Sequence, residues 1–171
     1  MTMSKLSGID IMGIDSGNMS NIDPQENIIF RMDEKNPIAD HFPYLIVTDD
    51  IRSLGSKTDL FLIDPFQGKD ALKCKAKRGL GIEISISPVR KLDAHLVARW
   101  LNELKSIYIF CQSNDCQFIL SSGATSTNEM ISARSFESIL SVVGIDPGAY
   151  WRKISEWLHT KTKARWQYVK S

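Results

Sequence analysis

The chain has 171 residues, 43% of them hydrophobic, and a formal net charge of +1. That is enough for one domain with a real core and an ordinary globular composition. No apolar run approaches the length of a membrane span, and the opening residues MTMSKLSGID lack the apolar core of a signal peptide, so a cytoplasmic protein with no membrane partner is expected.

The near-neutral total hides a split. Residues 1–72 carry 6 Lys and Arg against 12 Asp and Glu, net −6, whereas residues 73–171 carry 15 against 8, net +7. A basic half can face a polyanion; ordinary solvated helix surface accounts for such charge as well. Cys74, Cys111 and Cys116 are an odd number of cysteines and read as free thiols. The C-x4-C spacing of the last two, without a neighbouring histidine, is a poor zinc signature.

In chain order, Gly8 to Asp15 reads as a short strand, followed by a turn cluster at Asp15-Ser16-Gly17-Asn18. Ile28 to Phe30 is a second strand. Asn36-Pro37 and Phe42-Pro43 bracket a stretch with room for at most two helical turns. Tyr44 to Val47 is a third strand, after which Asp49 or Asp50 caps a brief helix ended by Gly55. Leu60 to Ile63 is a fourth, stopped by Asp64-Pro65, and Ala71 to Lys77 is expected to be helical.

The fifth strand lies within Arg78 to Arg90, RGLGIEISISPVR. Ile82, Ile84 and Ile86 fall on one face and Glu83, Ser85 and Ser87 on the other. Pro88 cannot donate to a ladder and ends the strand near Ser87. The polar file suits the inside of a barrel, a wet edge or a half-exposed strand.

Longer elements follow. Asp93 caps a helix through Val97, Trp100, Leu101, Leu104, Tyr108 and Cys111. Phe118 to Leu120 is a strand running into Ser121-Ser122-Gly123. Ser135 starts a helix through Phe136, Ile139, Leu140 and Val143 that Gly144 ends. Asp146-Pro147 then supplies an N-cap and first-turn proline for a helix with Tyr150, Trp151, Ile154, Trp157 and Leu158 on one stripe. Residues 161–171 form a basic tail carrying Trp166 and Tyr168. Strands alternating with helix-sized gaps indicate a single α/β domain over residues 1–171 with a parallel sheet. A full (β/α)8 barrel usually needs about 200 residues or more, so a trimmed or open barrel reconciles pattern and length.

The strand GIEISISPVR, the long helix after it, FILSSGA, and Arg134 before a helix ending VVGI together resemble the thirty-kilodalton ribonuclease P and MRP subunit family. Its archaeal member is ribonuclease P protein component 3. The resemblance covers roughly Lys73 to Arg165. Its most specific parts are Ile82-Glu83-Ile84 with Ser87-Pro88, and Ser121-Ser122-Gly123-Ala124 with Arg134. The compressed N-terminal half, and a loop TSTNEMISA without the proline often seen in the family, depart from the pattern.

The resemblance implies a TIM-barrel-like parallel (β/α) barrel, trimmed or irregular in its N-terminal half. It also implies membership of the ribonucleoprotein endonuclease that removes the 5′ leader of precursor tRNA. In that particle the RNA carries the chemistry and requires Mg2+. The implied partners are ribonuclease P RNA, precursor tRNA through the holoenzyme, ribonuclease P protein component 2 and the other protein subunits. The protein itself needs no cofactor, metal or catalytic residue on this reading.

Cations able to neutralise phosphates are then the candidate site. Lys73, Lys77 and Arg78 lead into the fifth strand, the first two on one side of the expected helix. Arg90 and Lys91 sit beyond that strand's end, where the βα-loops of a barrel gather. Arg134 is placed before a helix, in reach of a phosphate at its N-terminus. Lys161, Lys163 and Arg165 lead into Trp166 and Tyr168, aromatics able to stack on bases. A metal-dependent barrel phosphoesterase resembling the histidinol phosphatase family is the alternative, with Glu83 and Asp10 as tempting carboxylates. Its histidines would have to be His41, His95 and His159, none within four positions of another. A protein-interaction domain without RNA contact is the other alternative. There is no G-x-S-x-G elbow, and RGLG lacks the spacing of a phosphate loop.

Overall fold

The computed structural model describes residues 10–13, 28–33, 44–67, 70–124 and 127–169. Six strands form one sheet: β1 (Asp10–Gly13), β2 (Ile28–Asp33), β3 (Tyr44–Thr48), β4 (Leu60–Leu62), β5 (Gly81–Ser85) and β6 (Gln117–Ser121). Every neighbouring pair is parallel, and the order in the sheet is the order in the chain. The outermost strands come back toward each other, with Cα atoms of β1 within 8 Å of β6. Six strands among the described residues are two fewer than the eight of a full (β/α)8 barrel. The expected turn at Asp15–Asn18 and the stretch between Asn36 and Pro43 lie outside the described residues.

The helices are α1 (Asp70–Lys73), α2 (Ala94–Ser113), α3 (Ala133–Val142) and α4 (Pro147–Val169). Local chemistry sets their limits. Asp93 accepts the Leu96 N–H at 2.9 Å and opens α2. Asp146 accepts the Ala149 N–H at 2.6 Å ahead of Pro147 and opens α4. Gly144, at φ +78°, ends α3 with the Ile145 N–H on the Leu140 carbonyl at 2.9 Å.

Four expectations change. Ser132, not Ser135, caps α3, its Oγ accepting the Ser135 N–H at 3.3 Å. Arg134 is therefore inside the first turn rather than ahead of it. The helix expected to reach Lys77 is a single turn ending at Lys73. The brief helix expected after β3 forms with Asp50 as its cap, but as a 3₁₀ turn, Ile51–Ser53, that ends at Leu54 rather than Gly55. The segment expected as a tail continues α4 to Val169.

Strand β5 is paired on both edges and buried on both faces, so the half-exposed and wet-edge readings of its polar file fail. Register puts Phe61, Ile82 and Phe118 on one face, with Leu60, Gly81 and Gln117 on the other. The first face packs under α2 and α4: the Phe118 ring meets Tyr108 edge-on at 5.5 Å and Tyr150 at 6.1 Å. Tyr150 in turn meets Trp151 at 5.0 Å, and Trp151 meets Phe136 of α3 at 6.1 Å. The opposite face is reached by the later part of α4. A Cβ on Gly81 would lie 2.6 Å from Leu60 and 2.9 Å from Ile119 and Trp157, so glycine leaves the room the indole occupies. The Trp157 indole N–H donates to the Gly79 carbonyl at 2.9 Å.

Tyr150 does more than fill space. Its hydroxyl accepts the Leu120 N–H at 2.9 Å and donates to the Leu120 carbonyl at 3.3 Å. It thus supplies at this point of β6 the two bonds that a further strand would make. Tyr150→Phe leaves both buried backbone groups without that partner and should cost about 1–3 kcal/mol, read as a lower urea midpoint with unchanged slope.

Candidate functional site

Because all six strands run the same way, their C-terminal ends share one edge of the sheet, the edge at which α/β folds build their sites. Two charge sectors meet there. After β3 and β4 come Asp49, Asp50 and Asp64. The Arg52 N–H at 2.9 Å, and then its guanidinium at 3.1 Å, hold the Asp50 carboxyl below the ordinary carboxylate range. Asp64 accepts the Phe66 N–H at 2.9 Å. After β5 a 3₁₀ helix, Ser87–Lys91, presents Arg90 and Lys91, and after β6 the first turn of α3 presents Arg134; all three cations are exposed. Arg90 also ties the two loops together, its guanidinium donating to the Glu129 carbonyl at 2.7 Å.

Beneath the basic sector lies a polar patch that is closed to solvent. Glu83 is 0% exposed, and the Ser121 hydroxyl donates to its Oε1 at 2.5 Å. The two are diagonal neighbours on one face, since Glu83 stands opposite Ile119 and Ser121 opposite Ser85. Ser85 Oγ accepts the Ser87 N–H at 3.3 Å, and buried Ser122 accepts the Ala124 N–H at 3.0 Å. Gly123, at φ +69°, crosses so close above Ser85 that a Cβ would sit 1.8 Å from its Oγ. These serines shape the loops and hold a buried acid; the Ser121 proton is committed to Glu83. The sequence singled out Glu83 and the SSGA turn without showing that they bond to each other. Equal register of β5 and β6 is what brings them together.

The remaining candidate cations lie elsewhere. Lys77 and Arg78 lead into the opposite, N-terminal end of β5, and Lys73 closes α1 in the same connection. Lys73 pairs with Asp70 at 2.6 Å, which raises its pKa. Lys77 lies beyond the helix, so the shared helical side expected for Lys73 and Lys77 does not exist; its ammonium donates to the Gly55 carbonyl. Lys161 sits 3.8 Å from Asp59, which is 7% exposed and also accepts the Ile46 N–H at 2.9 Å, and 5.6 Å above the Trp157 ring. Lys163 and Arg165 follow on the α4 backbone; their side chains, with those of Trp166 and Tyr168, lie outside the described residues. The nine candidates therefore do not make one patch. Arg90, Lys91 and Arg134 share the C-terminal edge of the sheet, whereas Lys77 and Arg78 mark its N-terminal edge.

A groove of about 330 Å³ opens between the end of α2 and α4, walled by Tyr108, Cys111, Gln112, Cys116, Phe118 and Lys153. Burial, and then the neighbouring Cys116, pushes the Cys111 thiol far above its usual value. Burial raises Cys116 as well, against an opposing backbone hydrogen bond at Lys77. The only trace of this groove in the sequence is the C-x4-C spacing across the end of a helix.

His95 on α2 and His159 on α4 are both exposed, and His41 lies outside the described residues. Among the described residues no three His, Cys, Asp or Glu side chains converge, and no helix is long and apolar enough to cross a membrane. Comparison with models of known protein families gives no match, and no curated protein proves similar to the chain.

Ser121→Ala removes the bond to a fully buried carboxyl and should lower stability by about 1–3 kcal/mol, measured by urea unfolding. Ser121→Thr, which keeps the hydroxyl, should recover part of that loss.

Proposed function

We propose that this chain is a non-catalytic protein subunit of an archaeal ribonuclease P, the ribonucleoprotein endonuclease that removes the 5′ leader of precursor tRNA. The observation that carries the reading is the exposed group Arg90, Lys91 and Arg134 at the C-terminal ends of β5 and β6. Its members come from the two segments, GIEISISPVR and FILSSGA with Arg134, on which the family resemblance rests. Exposed cations from two successive connections, Arg90 and Lys91 after β5 and Arg134 after β6, with Arg90 bonded to the second connection at Glu129, suit a phosphate backbone better than a single surface lysine does.

Two further features support a scaffold role. The carboxylate most suggestive of catalysis, Glu83, is sealed under the loops and bonded to Ser121. The acidic sector around Asp49, Asp50 and Asp64 would repel RNA and leaves that side to a protein partner, with ribonuclease P protein component 2 as the expected one. On this reading the consecutive parallel strands, with β1 brought back near β6, form a trimmed TIM-barrel-like fold. Mg2+ serves the catalytic RNA, and the particle works in the cytoplasm.

The test is precursor-tRNA cleavage by the reconstituted particle, with the chain present, omitted, or carrying Arg134→Ala. Omission should raise the magnesium needed for cleavage. Arg134→Ala should weaken RNA binding and reduce the slope of log affinity against log salt by about 1. Crosslinks to the RNA should fall in residues 73–171; crosslinks concentrated in residues 1–72 would contradict the assignment. Hydrolysis of a phosphate ester by the purified chain with Mn2+ or Zn2+, lost in Glu83→Gln, would replace it with the phosphoesterase reading.

A further inference from the structure

Two helices end in the same backbone motif, with different side chains at the positions it brings together. In α3 the Ile145 N–H bonds the Leu140 carbonyl five residues back at 2.9 Å, across left-handed Gly144, and both Leu140 and Ile145 are buried. In α2 the Cys116 N–H bonds the Cys111 carbonyl at 3.0 Å, across Asp115 at φ 53°. This is the Schellman arrangement, in which the third helical residue from the end and the second residue beyond the cap place their side chains in contact. In α3 that contact is Leu140 on Ile145. In α2 the two positions are held by cysteines.

We propose that Cys111 and Cys116 are a site of reversible thiol oxidation, forming a disulfide across the C-terminal cap of α2. A disulfide needs Cα atoms roughly 4.4–6.8 Å apart, and the 3.0 Å hydrogen bond from the Cys116 N–H to the Cys111 carbonyl ties the two backbones directly to each other. Both side chains wall the same groove, so a small reagent has a route to them. Cys116 is the more accessible and reacts first.

With a low-molecular-weight disulfide such as oxidised glutathione as oxidant, Cys116 gives its proton to water and its thiolate attacks one glutathione sulfur. The S–S bond of glutathione breaks, and the departing thiolate takes up a proton. The Cys111 thiol then gives up its proton and attacks Cys116 Sγ in the mixed disulfide, releasing the second glutathione as a thiol. The protein loses two protons and two electrons, and one glutathione disulfide becomes two glutathiones. In the product Cys116 Sγ leaves the Lys77 carbonyl, and the end of α2 is fixed covalently to the start of β6.

The experiment uses the full chain carrying Cys74→Ser, because Cys74 is exposed and would form intermolecular bridges. The folded protein is incubated with oxidised glutathione, quenched with acid, unfolded, and its free thiols titrated and its peptides mapped. The expected result is loss of both thiols, the mass of two hydrogens missing, a peptide linking residues 111 and 116, and full reversal by dithiothreitol. The oxidised form should melt at a higher temperature than the reduced one. Cys111→Ser should stop at the mixed disulfide on Cys116, and Cys116→Ser should show no rise in melting temperature. Two thiols still titratable after oxidation of the folded protein, or a mixed disulfide on Cys116 that Cys111 never resolves, would overturn the proposal. Neither readout involves RNA, so the outcome is separate from that of the ribonuclease P assignment.

Discussion

A parallel strand in the middle of a sheet has to be covered on both faces, and β5 is where this chain meets that demand. Its isoleucines go under α2 and α4, a face any apolar sequence could supply. Its other face carries Gly81, Glu83 and Ser85, and each needs a specific neighbour: Trp157 beside Gly81, Ser121 on Glu83, Gly123 over Ser85. These neighbours come from β6, from the loop behind it and from α4. The polar file thus fixes how three later segments must lie, because a buried carboxyl without a hydrogen-bond partner is costly. The loops that carry Arg90 and Arg134 are positioned as a by-product of satisfying that strand.

Charge follows from topology in a simple way. The sheet order repeats the chain order, so a net charge that differs between the two parts of the sequence differs between adjacent sectors of the fold. Asp49, Asp50 and Asp64 end up next to Arg90, Lys91 and Arg134 along a single edge. On the proposed reading, a sign boundary of this kind would orient a polyanion as well as attract it, since register with the cations brings repulsion from the carboxylates if the approach is turned.

Much of the fold was legible because its signals are local. All six strands announce themselves as short apolar stretches, alternating in β1 and β5 and unbroken in the other four, and Asp93, Gly144 and Asp146-Pro147 mark helix limits by capping chemistry that acts within a few residues. One miss has a long-range cause. The helix expected up to Lys77 is cut short, and Lys75 and Lys77 instead reach across to the Ile51 and Gly55 carbonyls, contacts more than twenty residues away in sequence. The cap of α3 is a local miss: the expected Ser135 instead donates its N–H to Ser132 three residues earlier. For the site, residue types pointed correctly to Glu83 and the SSGA turn. Whether they touch depends on the register of two strands, with the bonded residues 38 apart in the chain, and no spacing in the sequence encodes that. The separation of the cations between opposite edges of the sheet is likewise a property of strand direction, invisible in a list of basic residues.

Helix α4 has a bearing on how the protein matures. It is made after every strand, yet its Tyr150 hydroxyl completes the bonding of β6, and its Trp157 ring occupies the space left by Gly81. While the ribosome is still reading the first six strands, a nascent sheet would present an unsealed flank and an empty slot at β5. Consolidation of this flank therefore waits for α4 to emerge from the exit tunnel. Until then the half-built layer is the stage most exposed to chaperones or to pairing with another unfinished chain.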